Sequence, residues 1–329
     1  MVDGKGEPRA GRIPTLHVVA ETIPQAYFQA MKKVWEQGCT IRTEYDRKDN
    51  NGEYIDPPSR DSRTLIEVLN PFGQPRFPPT SFCEVGKYIA EILGAKDHLV
   101  VPLEELERGI KEGNLDTKWP YTYHQRYTEW PKPNGEKVDQ VKLVLDRVAE
   151  TPFTRRGVAS TAVPYIDPHL KEDLPCFREF QLRALDNEAG ELELNMTTTW
   201  RSRDLYKAWQ DNVVAVTFWQ QVLAKELEKR TGKRVRVGSY ADFSMSLHIY
   251  GQDFPQVKGD EEKGLKSFFE NLNEDNLDAK CMTSDDARDM LVLPHLRELA
   301  GEDYWNFTDE KKAMIRSLIE RVESGQLVA

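Results

Sequence analysis

Apolar and polar positions along this chain follow two different periods, one typical of helices and one typical of strands. Apolar residues recur three and four positions apart in several segments, which predicts amphipathic helices. The predicted helices cover residues 16–35, 84–93, 103–111, 139–149, 209–230, 264–272 and 287–299, and a last segment that begins at Thr308. Gly232 follows the longest of them as a helix-ending glycine, and Thr308 precedes the last as its N-cap.

Strict alternation of apolar and polar residues predicts strands, because successive side chains of a strand point to opposite faces. The predicted strands cover residues 64–70, 180–185, 191–200, 234–240 and 243–250, with a shorter β-prone segment at 157–163. Residues 43–63 are polar and contain Asn-Asn-Gly and Pro-Pro, which predicts a long loop. Since strands and helices mix without a regular β–α–β alternation, the pattern predicts an α+β fold.

The chain of 329 residues is long enough to bury one large core. Residues 1–15 read as a flexible polar arm, and residues 16–254 carry the alternating pattern of a single domain. Residues 255–329 are acidic and helical, and we expect this extension to pack on the same domain. No internal repeat or low-complexity tract interrupts the chain.

Composition narrows the class of protein. The formal net charge of −10 argues against a general nucleic-acid binder. The cysteines lie far apart at positions 39, 83, 176 and 281, without a CxxC pair, so neither a structural zinc site nor a disulfide framework is indicated. No apolar run has the length of a membrane span or a signal-peptide core, and scattered thiols suit a reducing compartment. We therefore expect a cytoplasmic protein without a metal.

A cysteine and several arginines are the strongest candidates for chemistry. Cys176 follows a proline, and a lone cysteine there is most often a small buried hydrophobic residue. As a nucleophile it needs nearby positive charge, which Arg201, one strand away, or the pair Arg155-Arg156 could supply. A cysteine phosphatase would have an arginine six residues later, where this chain has Leu182. Arginine also suits phosphate binding, although either pair taken alone fits a solvated surface equally well.

Three further residues could contact a nucleotide. Asn212 lies near the start of the long amphipathic helix, where a capping role is the simplest explanation. His248 and Tyr250 are two positions apart and share one face of a strand. They could donate to a sugar hydroxyl, but a pair satisfied within the core is as common.

The order and spacing of these motifs resemble the thymidylate synthase superfamily, which includes the pyrimidine-nucleotide hydroxymethylases. The resemblance runs from about Pro120 to Tyr250. The matching segments are YTYHQR at 121–126, DQ at 139–140, PFTRR at 152–156, LPC at 174–176, RSRD at 201–204, Asn212, and HIY at 248–250. It implies a thymidylate synthase-like fold, with a mixed or antiparallel sheet packed against helices and a homodimer formed through the sheet.

The resemblance also implies a role for each matching residue. Cys176 would add to C6 of a pyrimidine, and Tyr123 would lie near the reacting carbons. Arg201 and Ser202 would bind the nucleotide phosphate, whereas Arg155 and Arg156 would reach the phosphate in the neighbouring subunit.

Further assignments concern the base, the sugar and the folate. Asn212 would read the base, while His248 and Tyr250 would bind the ribose. Asp204 would contact the pterin of the co-substrate, 5,10-methylenetetrahydrofolate.

Two assignments in the divergent N-terminal half keep alternatives. The phosphate arginine of that half is Arg60 or Arg63, and Arg60 is preferred. The catalytic glutamate is Glu91, with Glu84 and Glu105 as rivals.

Departures from the family pattern bear on the reaction. Phe177 replaces the histidine after the cysteine, Ala208 replaces a glycine, and Ser246 replaces an aspartate. A rotatable amide at Asn212 fits uracil or cytosine, and Asp211 is adjacent. The chain length, the stretch WRSRDLY at 200–206 and the C-terminal extension look most like a hydroxymethylase that acts on CMP in nucleoside-antibiotic biosynthesis. Such an enzyme completes the transfer with water, whereas a synthase uses hydride from the folate.

Overall fold

A mixed β-sheet organises the chain in the computed structural model, which describes residues 11–79, 84–113, 119–170, 174–254, 265–301 and 306–329. The strands are β1 (Thr15–Ala20), β2 (Cys39–Ile41), β3 (Ser59–Val68), β4 (Trp130–Pro131), β5 (Lys137–Val138), β6 (Val158–Ser160), β7 (Phe177–Asp186), β8 (Leu192–Trp200), β9 (Arg203–Asp204) and β10 (Val235–Ile249). The main sheet has the order β1-β3-β10-β8-β7-β6, with β2 beside β3 and β9 beside β10. β10 pairs antiparallel to β3 and parallel to β8, so the sheet is mixed as predicted.

Helices cover one face of this sheet. They are α1 (Ile23–Gln37), α2 (Val85–Ile92), α3 (Leu103–Glu112), α4 (Tyr123–Thr128), α5 (Gln140–Glu150), α6 (Trp209–Thr231), α7 (Leu265–Asn271), α8 (Leu277–Lys280), α9 (Ser284–Ala287), α10 (Leu293–Gly301) and α11 (Asp309–Glu323). The long helix α6 is buried along most of its length, and Gly232 ends it in the left-handed conformation, at φ 66°. The α+β prediction is confirmed.

The other face of the sheet carries few covering groups in the described chain. Val19, Leu65, Leu185 and Met245 point to this face and are 37–50% exposed. A residue that pairs in register with one of these four points to the same face. His17, for example, lies beside Leu65 in the β1–β3 pair. This surface is called the open sheet face below.

The N-terminal third differs from its predicted elements. Residues 16–20 belong to strand β1, whereas the pattern predicted a helix from residue 16, and the helix begins at Ile23 after the N-cap Thr22. The apolar positions of β1 alternate, but so short an alternation resembles helical spacing when a helix follows directly. The predicted loop 43–63 overlaps β3, which begins at Ser59, because pairing with β10 and β2 overrides the polar composition.

Two predictions near the C-terminus also differ in detail. Residues 234–240 and 243–250 form the single strand β10, whose register shifts at two places rather than ending. The predicted helix 287–299 is interrupted by a π-helical segment over Arg288–Val292 before α10 begins. Thr308 caps α11 as predicted, since its side chain accepts from the backbone N–H of Lys311.

The C-terminal extension lies against helix α2. The buried Lys87 of α2 forms ion pairs with Glu84 and with Glu298 of α10, at 2.5 and 2.7 Å. Lys311 of α11 donates to the carbonyl of Gly94 at 2.6 Å. Residues 1–10 of the predicted arm lie outside the described residues. Among the residues that are described, no helix is long and apolar enough to cross a membrane.

Candidate active site

The candidate nucleophile and an arginine meet at one backbone carbonyl. Arg201, which directly follows β8, donates to the oxygen of Leu174 from Nε at 3.1 Å and from Nη2 at 2.7 Å. The thiol of Cys176 contacts the same oxygen at 3.9 Å. Because a nearby guanidinium favours the thiolate over the thiol, this arrangement suits a nucleophilic cysteine.

Two tyrosines lie near the thiol, and a carboxylate lies near one of them. Burial raises the pKa of Tyr123 well above its usual value, and the proximity of Cys176 adds to the rise. Burial also raises the pKa of Tyr250, with contributions from Asp204 and Cys176. The Oδ1 atom of Asp204 accepts the backbone N–H groups of Tyr206 and Lys207, at 2.9 and 3.0 Å. The tertiary structure thus brings four predicted site residues, separated by up to 127 positions in sequence, into one neighbourhood.

A second group of side chains surrounds Asn212 and is called the Asn212 cluster below. Asn212 donates from Nδ2 to the hydroxyl of Tyr88 on α2 at 2.9 Å, and its Oδ1 accepts from Nε of Arg203 at 3.1 Å. Arg203 in turn forms an ion pair with Asp242 at 3.0 Å, and both side chains are almost completely buried. Burial raises the pKa of Asp242, while Arg203 opposes that rise.

A third group, the His248 cluster, joins strands β3 and β10. The hydroxyl of Ser246 donates to Oδ2 of Asp61 at 2.9 Å and lies 3.3 Å from Nδ1 of His248. Since the serine proton is used on Asp61, its oxygen accepts from Nδ1–H. Burial lowers the pKa of His248, so the ring is neutral and Nε2 is an acceptor. Nε2 is buried and has no hydrogen-bond partner in the described part of the chain.

His248 also stacks edge-on against Tyr250, with ring centroids 4.5 Å apart. Tyr45, from the loop between β2 and β3, meets Tyr250 from the other side at 6.0 Å. The predicted pair therefore forms one aromatic group, and a residue of the predicted long loop belongs to the same group.

The structure distinguishes the three candidate glutamates. Glu91 lines a cavity of about 260 Å³ together with Tyr88, Trp119, Tyr121 and Tyr123, and it pairs with Lys96. Glu84 instead pairs with Lys87 on the side of the C-terminal extension, and Glu105 is exposed on α3. Only Glu91 of the three shares a cavity with Tyr123, which favours it as the catalytic glutamate.

The remaining predicted phosphate ligands lie at the edges of this region. Ser202 lies between β8 and β9, next to Arg201. Arg60 donates to the carbonyl of Gly38 and to Thr40, at 3.4 and 3.0 Å, and no described contact joins it to Cys176. Its rival Arg63 lies three residues further along β3 and is exposed.

Arg155 and Arg156 are exposed on the turn before β6. The carbonyl of Arg155 accepts from Gln181 of β7 at 3.0 Å. Within the described chain, neither arginine contacts the other predicted site residues.

Phe177 lies beneath the site rather than in it. Its buried ring stacks on Trp200, with centroids 4.6 Å apart and planes 9° apart, and meets the edge of Tyr123 at 5.6 Å. Phe177 therefore supports Tyr123 through apolar contact, which a histidine at this position would not do in the same way.

Sequence reasoning missed several members of the two clusters. Tyr88, Asp242 and Asp61 lie in segments whose local patterns predict only helix, strand or loop, whereas Arg203 lies in the RSRD segment but received no role of its own. Charged residues at otherwise buried strand positions, such as Asp242, were the available signal, because an ion seldom occupies such a position without a partner.

Comparison with known proteins shows the family to which the chain belongs. Residues 92–278, more than half of the chain, match the family model described as thymidylate synthase. The chain is 26% identical over 240 residues to the "Putative thymidylate synthase" of Methanosarcina acetivorans, covering 73% of this chain and 91% of that protein. It is also 26% identical over 137 residues to the thymidylate synthase of Corynebacterium aurimucosum, covering 41% and 46%.

A solved structure, the thermostable thymidylate synthase A from Bacillus subtilis, is 20% identical, with a TM-score of 0.47 over 69% of this chain and 79% of that one. On the family match, the chain belongs to the thymidylate synthase family. Members of this family are folate-dependent one-carbon transferases that use 5,10-methylenetetrahydrofolate as co-substrate.

Proposed function

We propose that this enzyme is a pyrimidine nucleotide 5-hydroxymethylase that converts CMP to 5-hydroxymethyl-CMP. Family membership supplies the general reaction, a one-carbon transfer to a pyrimidine nucleotide. The choice of CMP and of a hydroxymethyl product rests on the sequence resemblance to the cytidylate hydroxymethylase of mildiomycin biosynthesis, a nucleoside-antibiotic pathway. The proposal places the reaction in the cytoplasm, where thiols such as that of Cys176 remain reduced.

The observation that carries the proposal is the meeting of Cys176 and Arg201 at the carbonyl of Leu174. Arg201 stabilises the thiolate, which adds to C6 of the base and makes C5 nucleophilic. The same guanidinium, with Ser202, binds the nucleotide phosphate. Tyr123 lies beside the thiol, and Asn212, near the N-terminal end of helix α6, holds the base.

The remaining residues position the folate and move protons. Asp204 is assigned to the pterin for two reasons. Its carboxylate can accept from the N–H groups of a pterin, and it lies in the same neighbourhood as Tyr250 and Cys176. Methylenetetrahydrofolate supplies the one-carbon unit when bound. Glu91, in the cavity beside Tyr123, orders water and handles protons at the base. C5 then loses its proton and the bond from the one-carbon unit to the folate nitrogen breaks, so that tetrahydrofolate leaves and a methylene group remains on C5. Water adds to this methylene, and release of the Cys176 thiolate from C6 restores the ring double bond and gives the hydroxymethyl product.

A thymidylate synthase that makes dTMP from dUMP is the second candidate. It is favoured by the names of curated relatives, which are described as "Putative thymidylate synthase" and "Thymidylate synthase". A deoxycytidylate hydroxymethylase is a close variant of the first candidate. A protein that binds nucleotide or folate without turnover is disfavoured, because Cys176 and Arg201 both contact the carbonyl of Leu174.

One assay separates these functions. The protein is incubated with methylenetetrahydrofolate and CMP, dCMP or dUMP, and the product mass and the absorbance of dihydrofolate are measured. A hydroxymethyl product from CMP without dihydrofolate supports the proposal. Formation of dTMP with dihydrofolate contradicts it, and the absence of turnover with every nucleotide indicates a binding protein.

The proposed enzyme is a homodimer formed through the open sheet face. Support comes from the apolar side chains exposed there, including Leu65, Leu185 and Met245, and from the exposure of Arg155 and Arg156. These arginines would bind the phosphate in the neighbouring subunit. Mixing inactive Arg156→Ala protein with inactive Cys176→Ala protein should then restore part of the activity, because some mixed dimers contain one intact site. No recovery would contradict shared sites.

A further inference from the structure

The buried ion pair of Arg203 and Asp242 lies directly behind Asn212. The guanidinium of Arg203 lies over the ring of Trp200, 3.8 Å from its centroid, and Trp209 donates to Oδ2 of Asp242 at 3.2 Å. Exposed fractions are 1% for the side chain of Arg203 and 0% for that of Asp242. A buried ion pair often stabilises a fold no better than apolar residues of the same size, so its contact with a site residue is the more informative property.

That contact determines the orientation of the Asn212 amide. The two ends of an amide have nearly the same shape, but a guanidinium has only donors. Nε of Arg203, 3.1 Å away, can therefore face only Oδ1 of Asn212. The Nδ2 end must point the other way, where it donates to the hydroxyl of Tyr88 at 2.9 Å.

Orientation matters because the two pyrimidines present opposite patterns at positions 3 and 4. Uracil has a donor at N3 and an acceptor at O4, whereas cytosine has an acceptor at N3 and a donor at N4. An amide that rotates freely matches either base, but an amide held in one orientation matches only one of them. Loss of the hold would let the amide turn to the orientation that suits the other base.

We propose that Arg203, held by Asp242, is a positioning residue that fixes the Asn212 amide and thereby sets the discrimination between cytosine and uracil nucleotides. The inference rests on the proposed function in that it takes Asn212 as the residue that reads the base. It does not depend on the reaction product, because discrimination is already present when the nucleotide binds.

The test compares the binding of CMP and UMP by calorimetry, without folate. The double variant Arg203→Gln with Asp242→Asn has no buried charge, and its glutamine amide can donate to or accept from Asn212. The dissociation constant of the disfavoured nucleotide divided by that of the favoured one should fall about tenfold, because the disfavoured nucleotide binds more tightly. A factor of about ten corresponds to the free energy of one hydrogen bond. The matched control is Arg203→Lys, which keeps the charge and presents only donors, and it should retain the wild-type ratio.

A purely structural role predicts a different result, since loosened packing weakens the binding of both nucleotides equally. An unchanged ratio in the folded double variant would overturn the proposal, as would equal binding of CMP and UMP by the wild type. If the polar double variant does not fold, Arg203→Met with Asp242→Leu replaces the pair with apolar atoms and should give the same fall in the ratio. Turnover of CMP by the wild type, measured separately, tests the proposed function independently.

Discussion

The Asn212 cluster and the His248 cluster both orient a candidate site residue, but they use different side chains to do so. Each has a buried carboxylate that orients a site residue, Asp242 in the first and Asp61 in the second. Burial raises the pKa of both carboxylates. Asp242 acts through a guanidinium, which has only hydrogen-bond donors, whereas Asp61 acts through the hydroxyl of Ser246 on a histidine that titrates.

This difference separates the pH responses of the two ends of the site. The orientation of Asn212 is fixed by a group that has only hydrogen-bond donors, so it should not follow the titration of His248. The acceptor character of Nε2 of His248 requires a neutral ring and is lost when the ring gains a second proton. Base recognition is therefore expected to be insensitive to pH, and sugar recognition to weaken in acid.

The largest effect is expected for a variant that removes the nucleophile and leaves the Asn212 cluster and the His248 cluster unchanged. Cys176→Ala should lower turnover by at least about a thousandfold, because the variant cannot form the bond to C6. Nucleotide affinity, measured by calorimetry, should change by no more than about threefold, since the thiol makes no ion pair with the ligand. Retained turnover would refute the assignment of the nucleophile.

The next effect lies on the Asn212 side of the site. Glu91→Gln should lower turnover of CMP by about a hundredfold to ten-thousandfold, because the amide cannot move protons. Glu84→Gln, at the N-cap of α2, and Glu105→Gln, on α3, are matched controls, and both should stay within about twofold of the wild type. Steady-state kinetics of the three variants would show a wrong assignment if one of the controls lost the activity instead.

A smaller effect is expected on the His248 side. Ser246→Ala breaks the link between Asp61 and His248 and frees the ring to adopt either tautomer. Affinity for CMP should fall about threefold to tenfold, the value of one hydrogen bond to a buried group. The ratio of CMP to UMP binding should stay unchanged, because the base is read elsewhere. A changed ratio would mean that the two clusters are coupled.

The smallest effect concerns stability against pH. The pKa of His248 lies below 6.5 in the folded protein and near 6.5 in the unfolded chain. Between these two pKa values the unfolded chain binds more protons than the folded protein. The contribution of His248 to the unfolding free energy is therefore fully present above pH 6.5 and is lost as the pH falls towards the folded pKa. The slope from one such group is at most about 1.4 kcal/mol per pH unit.

His248→Gln should remove this part of the slope in denaturant unfolding measured from pH 7 to pH 5. The pKa of His295 is also lowered by burial, so the slope that this residue contributes should remain in the variant. An identical slope in wild type and variant would show that His248 is not held neutral by the fold.

The sequence alone singled out the candidate site residues that lie at or beside regular elements, and their roles stay predictions. Cys176, Arg201, Asn212 and His248 stand at the ends of strands or in the first turn of a helix, where local pattern and motif order fix their environment. It did not find Tyr88, Asp61 or Arg203 as site residues. Their importance comes from partners 124, 185 and 39 positions away, in Asn212, Ser246 and Asp242.

Motif order therefore indicated the family, and the mixture of strand and helix patterns without a regular β–α–β alternation indicated the α+β class. Local pattern was less informative for β1 and β3, where pairing with distant strands decided the structure. The tertiary structure alone decided which glutamate shares a cavity with Tyr123 and which buried charge faces Asn212. The physical reason is that an ion buried in a sheet must find its counter-charge in three dimensions, and no local spacing records where that partner lies.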